Sequence, residues 1–143
     1  MPAALAPRRD NAAMRKDEVA SGPRGRVIVI DSITQLAPGD EGVIVVSGSH
    51  GGASSGDFAL ALPLRLVFFN DAGVGKDQAG IAALAMLQAR GVAAAAVAHT
   101  SARIGDALDA WQHGVVSRAN SAALALGVQL GAHVRPVVER LLR

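Results

Sequence analysis

From residue 27 onward the chain repeats one unit: a short run of β-branched or small apolar residues, a cluster of Gly, Ser, Asp, Asn or His, then an Ala- and Leu-rich stretch of helical period. Apolar runs that do not alternate with polar residues must be buried on both faces, which is the situation of strands in a sheet covered by helices. "RVIVIDS" (26–32), "GVIVVSG" (42–48), "LRLVFFN" (64–70), "VAAAAVAHT" (92–100) and the short "VVS" (115–117) predict five strands. Between and after them, "SSGDFALAL" (54–62), "QAGIAALAMLQAR" (78–90), "GDALDAWQHG" (105–114), "ANSAALALG" (119–127) and "PVVERLL" (136–142) predict helices. Asp77 is read as an N-cap, Gly91 as a left-handed C-terminal residue and Pro136 as a first-turn proline. The expected fold is a single three-layer α/β/α domain over residues 27–143, built on a mostly parallel sheet of about five strands.

Charge is distributed unevenly. Residues 1–26 carry six basic and three acidic residues, whereas the remainder carries eight basic and nine acidic ones. The high isoelectric point therefore belongs to the leading segment, which is expected to be a disordered basic tail, and the body is nearly neutral. With no Tyr, one Trp and three Phe, the chain lacks the stacking platforms of single-strand binders, so no nucleic-acid partner is expected. The absence of cysteine removes disulfides, thiolate metal sites and thiol nucleophiles. No apolar run reaches membrane-spanning length. A protein without a membrane partner, cytoplasmic and homo-oligomeric, is the expectation.

In open parallel sheets ligands bind beyond the carboxyl ends of the strands. Polar residues gather at that end of every predicted strand: Asp31 and Ser32; Ser47, Ser49 and His50; Asn70, Asp71 and Lys76; His99, Thr100, Ser101 and Arg103; Ser117, Arg118 and Asn120. The opposite ends hold little beyond Arg26 and Arg65. "NDAGVGKD" (70–77) fails as a phosphate loop of the Walker kind, because Asn70 replaces its first glycine and Asp77 its magnesium-binding hydroxyl. His50 is read as the general acid or base, with Asp71 and Ser49 beside it, although successive residues point apart and make Ser49–His50 a poor nucleophile–base pair. Asp31, Ser47, Gly51, Asn70, Gly73, Lys76, Ser101 and Arg103 are read as substrate-binding, Lys76 and Arg103 as clamps on a carboxylate or phosphate. No tight pair such as HxH or HExxH is present, so neither a metal nor another cofactor is assigned. His113 and His133 are given no role.

An apolar strand ending in "SGSHGG" (47–52), followed by a strand, a glycine-bearing loop and a helix, resembles the caspase-like fold of clan CD peptidases over residues 43–98. The resemblance implies that His50–Gly51 stands where that family carries its catalytic histidine. Ala72 falls where its cysteine should be, so the thiol chemistry is not implied. The scaffold is thus expected to be Rossmann-like or caspase-like. The function expected is that of a small enzyme acting on an anionic metabolite by hydrolysis, isomerisation or elimination; the alternative is a catalytically silent scaffold or subunit serving assembly or regulation.

Overall fold

The structure is a computed structural model that describes residues 14–143. β1 (Lys16–Gly22) and β2 (Gly25–Ile30) form an antiparallel hairpin closed by Pro23 and Arg24. β3 (Ile44–His50), β4 (Leu66–Asn70) and β5 (Ala93–Val97) follow β2 in parallel, and β6 (Val116–Ala119) returns antiparallel to β5. Spatial order equals chain order, β1-β2-β3-β4-β5-β6. The α/β class is as expected, but the sheet is mixed and six-stranded rather than mostly parallel with about five strands. An antiparallel pair flanks the three parallel pairs on each side.

The additional strand is β1, which falls inside the segment expected to be a tail. As an edge strand it is half-exposed, so "KDEVASG" has no apolar run to announce it. Hydrogen bonds hold it instead. The Arg15 N–H donates to Asp31 Oδ2 at 2.8 Å, and Lys16 Nζ donates to the buried Asp40 at 2.8 Å and to the Gln35 carbonyl at 2.9 Å. The tail expectation for residues 1–13 lies outside the described residues.

Helices cover both faces because each strand sends alternate residues to opposite sides. Val29, Val46 and Phe68 pack with α3 (Ala107–His113) and α5 (Val134–Leu142), around Trp111, Val137 and Val138. Ile30, Val45 and Phe69 pack with α1 (Ala53–Ala59) and α2 (Ala82–Gln88), around Ala59, Ala83 and Leu87. The alanines of β5 leave room for both α2 and α4 (Ser121–Ala125) to pack against it. Asp106 and Asn120 cap α3 and α4, accepting the N–H groups of Asp109 and Ala123. Asp77 is not the cap expected for α2: it lies at φ 55°, and α2 starts only at Ala82. Among the described residues no helix is long and apolar enough to cross a membrane.

Candidate functional site

Three adjacent strands bring the site together at the carboxyl edge of the sheet. Asp71 follows β4, His99 lies two residues beyond β5, and Ser117 is on β6. Asn70 pairs with Val97, and the Asp71 N–H donates to the Val97 carbonyl at 2.8 Å, so parallel pairing carries Asp71 directly to the turn that holds His99. Ser117 owes its position to a bulge. Val116 pairs with Val97 and Arg118 with Ala96, which leaves Ser117 as the extra residue and turns its side chain toward β4.

Asp71 is buried and accepts four hydrogen bonds. Its Oδ1 takes the Gly73 N–H at 2.8 Å, the His99 N–H at 3.1 Å and His99 Nδ1 at 3.2 Å, while its Oδ2 takes the Ser117 hydroxyl at 2.6 Å. Burial alone would raise the carboxyl above its ordinary range; the hydrogen bonds from Ser117, from the Gly73 and His99 backbone and from the His99 ring outweigh it, and the net shift is downward. An ionised carboxylate only accepts, so His99 Nδ1 carries the proton and Nε2 is the basic atom of the ring. Gly73 lies against this ring: a Cβ there would stand 3.6 Å from His99 Cε1, at φ 77°, where glycine is the least strained residue. The His99 side chain is 51% exposed and lines an open cleft of about 460 Å³ together with Thr100, Arg103, Asp109 and His113.

Most of the residues read from the sequence as substrate-binding make internal bonds. Asp31 accepts the N–H groups of Arg15 and Ala107, tying β1 to the start of α3. The Ser47 hydroxyl donates to the Phe68 carbonyl, Asn70 joins the Ala102 carbonyl to the Ala72 N–H, and Ser101 joins the Ala98 carbonyl to the Val115 N–H. The Gly51 carbonyl accepts the Ala83 N–H, and a Cβ on Gly51 would stand 2.8 Å from the Gly80 carbonyl oxygen. Gly73 supports Asp71 as described, and exposed Lys76 makes no hydrogen bond or ion pair among the described residues. Arg103 faces the cleft with its side chain 82% exposed.

The expected catalytic set is not brought together. Ser49 Oγ accepts the Ile33 N–H at 2.9 Å, fixing the 3₁₀ turn at Ile33–Gln35. The His50 side chain is exposed and makes no hydrogen bond among the described residues; its Nε2 lies 2.9 Å from where a Cβ on Gly52 would sit. β3 shifts register between Val46 and His50, so that His50 pairs with Asn70, while the Asp71 carboxylate is bonded to Gly73, His99 and Ser117. Asp71 has His99 as its imidazole partner. His99 and Ser117 were visible in the sequence as strand-end polar residues, but choosing them needs the strand order and the β6 bulge.

Comparison with protein-family models, curated proteins and solved structures finds no match. The chemistry is therefore read from geometry alone. A buried carboxylate on Nδ1 fixes the ring and its tautomer and leaves Nε2 as the atom that can take or give a proton. No hydroxyl among the described residues is hydrogen-bonded to His99, and those of Ser101 and Ser117 are committed elsewhere. Among the described residues no three His, Asp or Glu side chains converge to hold a metal ion.

Proposed function

We propose that the protein is an enzyme that moves a proton on a small anionic metabolite at the carboxyl edge of its sheet. His99 Nε2 is the general acid and base, Asp71 orients the ring, and Arg103 attracts the anion. The observation that carries this reading is the 3.2 Å contact between buried Asp71 and the Nδ1 of a half-exposed histidine lining a cleft. Hydrolysis by an activated water, isomerisation and elimination all use this group. The absence of a hydroxyl bonded to the imidazole favours them over an acyl-enzyme route. A caspase-like scaffold is proposed on the strength of the His50–Gly51 pair ending β3 and of the strand and helix that follow. Cytoplasmic residence rests on the absence of cysteine, and a homo-oligomer on the alanine-rich helices.

The test is a turnover screen of small carboxylates, phosphates and amides, followed by proton NMR with the parent chain, His99→Gln and Asp71→Asn. Turnover by the parent that falls roughly 10²-fold or more in both variants supports the assignment. Turnover retained by His99→Gln overturns it. Binding without turnover favours the silent scaffold, in which the Asp71 bonds serve only to join the ends of β4, β5 and β6.

A further inference from the structure

The cleft beside His99 carries a second imidazole. His113 is the last residue of α3, which packs on β3, and it lines the cleft together with the turn that follows Ala98. In the sequence it stands fourteen residues from His99 with no sign that the two share a surface. Arg103 lies on the intervening turn. Three side chains able to carry positive charge thus border one opening, with Asp109 the only acid among them.

Asp109 does not neutralise the group. Its Oδ2 accepts the Arg103 backbone N–H at 2.9 Å and stands 3.8 Å from the guanidinium, a long and solvent-screened contact. It therefore fixes the Arg103 backbone and leaves the fork of donors facing solvent. Ser101, which lies between, has its hydroxyl taken by Ala98 and Val115 and acts as wall. The lining is almost wholly polar, so a ligand seated here gains little from apolar burial and is held by charge and hydrogen bonds.

We infer that Arg103 and His113 form a subsite for the oxyanion group of a compact, polar ligand, and that this subsite is separate from the proton-transfer group His99. The chemistry is that of a phosphate or carboxylate held by a guanidinium and the N–H of an imidazole. The inference deepens the proposed function and rests on it only for the identity of the reacting end.

The four histidines supply the test. Two line the cleft, His99 and His113, and two do not, His50 and His133. Imidazole resonances of the full chain are followed by NMR during titration with inorganic phosphate and, separately, with succinate. Saturable shifts of His99 and His113, with His50 and His133 still, are expected for at least one anion; the one that binds identifies the source. Arg103→Gln and His113→Gln should each weaken binding by about tenfold, the scale of a charge-assisted hydrogen bond. Both positions are exposed, and a thermal melt matching the parent shows that the variants are folded. Parallel drift of all four histidines, no saturation with either anion, or unchanged affinity in Arg103→Gln overturns the subsite. Anion binding lost in Arg103→Gln while no substrate turns over leaves the subsite standing and rejects the enzyme. Turnover that needs His99 but is indifferent to Arg103 and His113 does the reverse.

Discussion

At the scale of single residues, the carboxyl edge is held by bonds that spend polar atoms on structure. Ser117 is an example with a measurable consequence. Its hydroxyl is one of the groups that keep Asp71 below the ordinary carboxylate range, against the opposing effect of burial. A carboxyl whose folded pKa is depressed contributes stability above its unfolded value near 3.8, and that contribution is lost as pH falls through the lower folded value. Ser117→Ala is expected to cost about 1.5–3 kcal/mol in urea unfolding at pH 7, and the cost should shrink as pH falls through the lowered folded value of Asp71 and the carboxyl is protonated. A deficit independent of pH would separate Ser117 from Asp71. Gly48 makes a different demand. A Cβ there would stand 2.6 to 2.8 Å from backbone atoms of Asp31, Gly105 and Asp106, none of which can swing aside. Gly48→Ala is therefore expected to lower stability by about 1–3 kcal/mol, read from the urea midpoint.

At the scale of elements, the loop between β4 and α2 is the most unusual. Ala72, Val74, Asp77 and Gln78 all have positive φ, a conformation that costs a non-glycine residue about 1–2 kcal/mol. Gln78 is exposed and loses no packing when shortened, so Gln78→Gly should leave the melting temperature unchanged or raise it, the relief of strain offsetting the added freedom of the unfolded chain. A lower melting temperature would show that the Gln78 side chain supports the loop. β1 is anchored differently, through Asp40. Burial pushes that carboxyl up, but the Lys16 hydrogen bond, the Ala37 N–H and the charges of Lys16 and Arg26 bring it down on balance. Asp40→Asn should speed hydrogen exchange in the amides of β1 before those of β4 at neutral pH, and the difference should fade as pH falls through the lowered folded value of Asp40.

These elements also show what a sequence can and cannot say. "VIVV" and "LVFF" reveal buried strands because burial on both faces removes polar residues from the run. "KDEVASG" conceals one, because an edge strand meets solvent and is held by Asp31 and Asp40 rather than by its own apolar content. The gathering of polar residues at the carboxyl edge, where the candidate site lies, was legible in the sequence. The site's members were not. Position at a strand end and the caspase-like resemblance favoured His50 with Asp71, whereas strand pairing and the bulge at Ser117 bring His99 and Ser117 to that carboxylate. Asp31, Ser47, Asn70 and Ser101 carry side chains suited to ligands, and only their partners reveal that they bind backbone.

At the scale of the whole molecule, Phe68 and Phe69 anchor opposite faces of one sheet. Truncating either to alanine should cost about 3–5 kcal/mol. The single tryptophan, Trp111, is buried on the Phe68 face with Arg135 over its ring. Its fluorescence and far-UV circular dichroism should therefore report one coincident urea transition in both variants if the faces melt together. Separate transitions in Phe69→Ala would mean that the α1–α2 layer can detach.

The identity of spatial and chain order has a bearing on synthesis as well as on shape. Each new strand leaving the ribosome finds its neighbour already made, so the sheet can grow at one edge without waiting for a distant segment or rearranging what is in place. The hydrogen-bonded cluster at the carboxyl edge assembles along the same axis: Asp71 arrives before His99, and Ser117 before the terminal helix. A nascent chain would thus carry much of its framework well before the Asp71, His99 and Ser117 side chains meet, which happens only as the last edge closes.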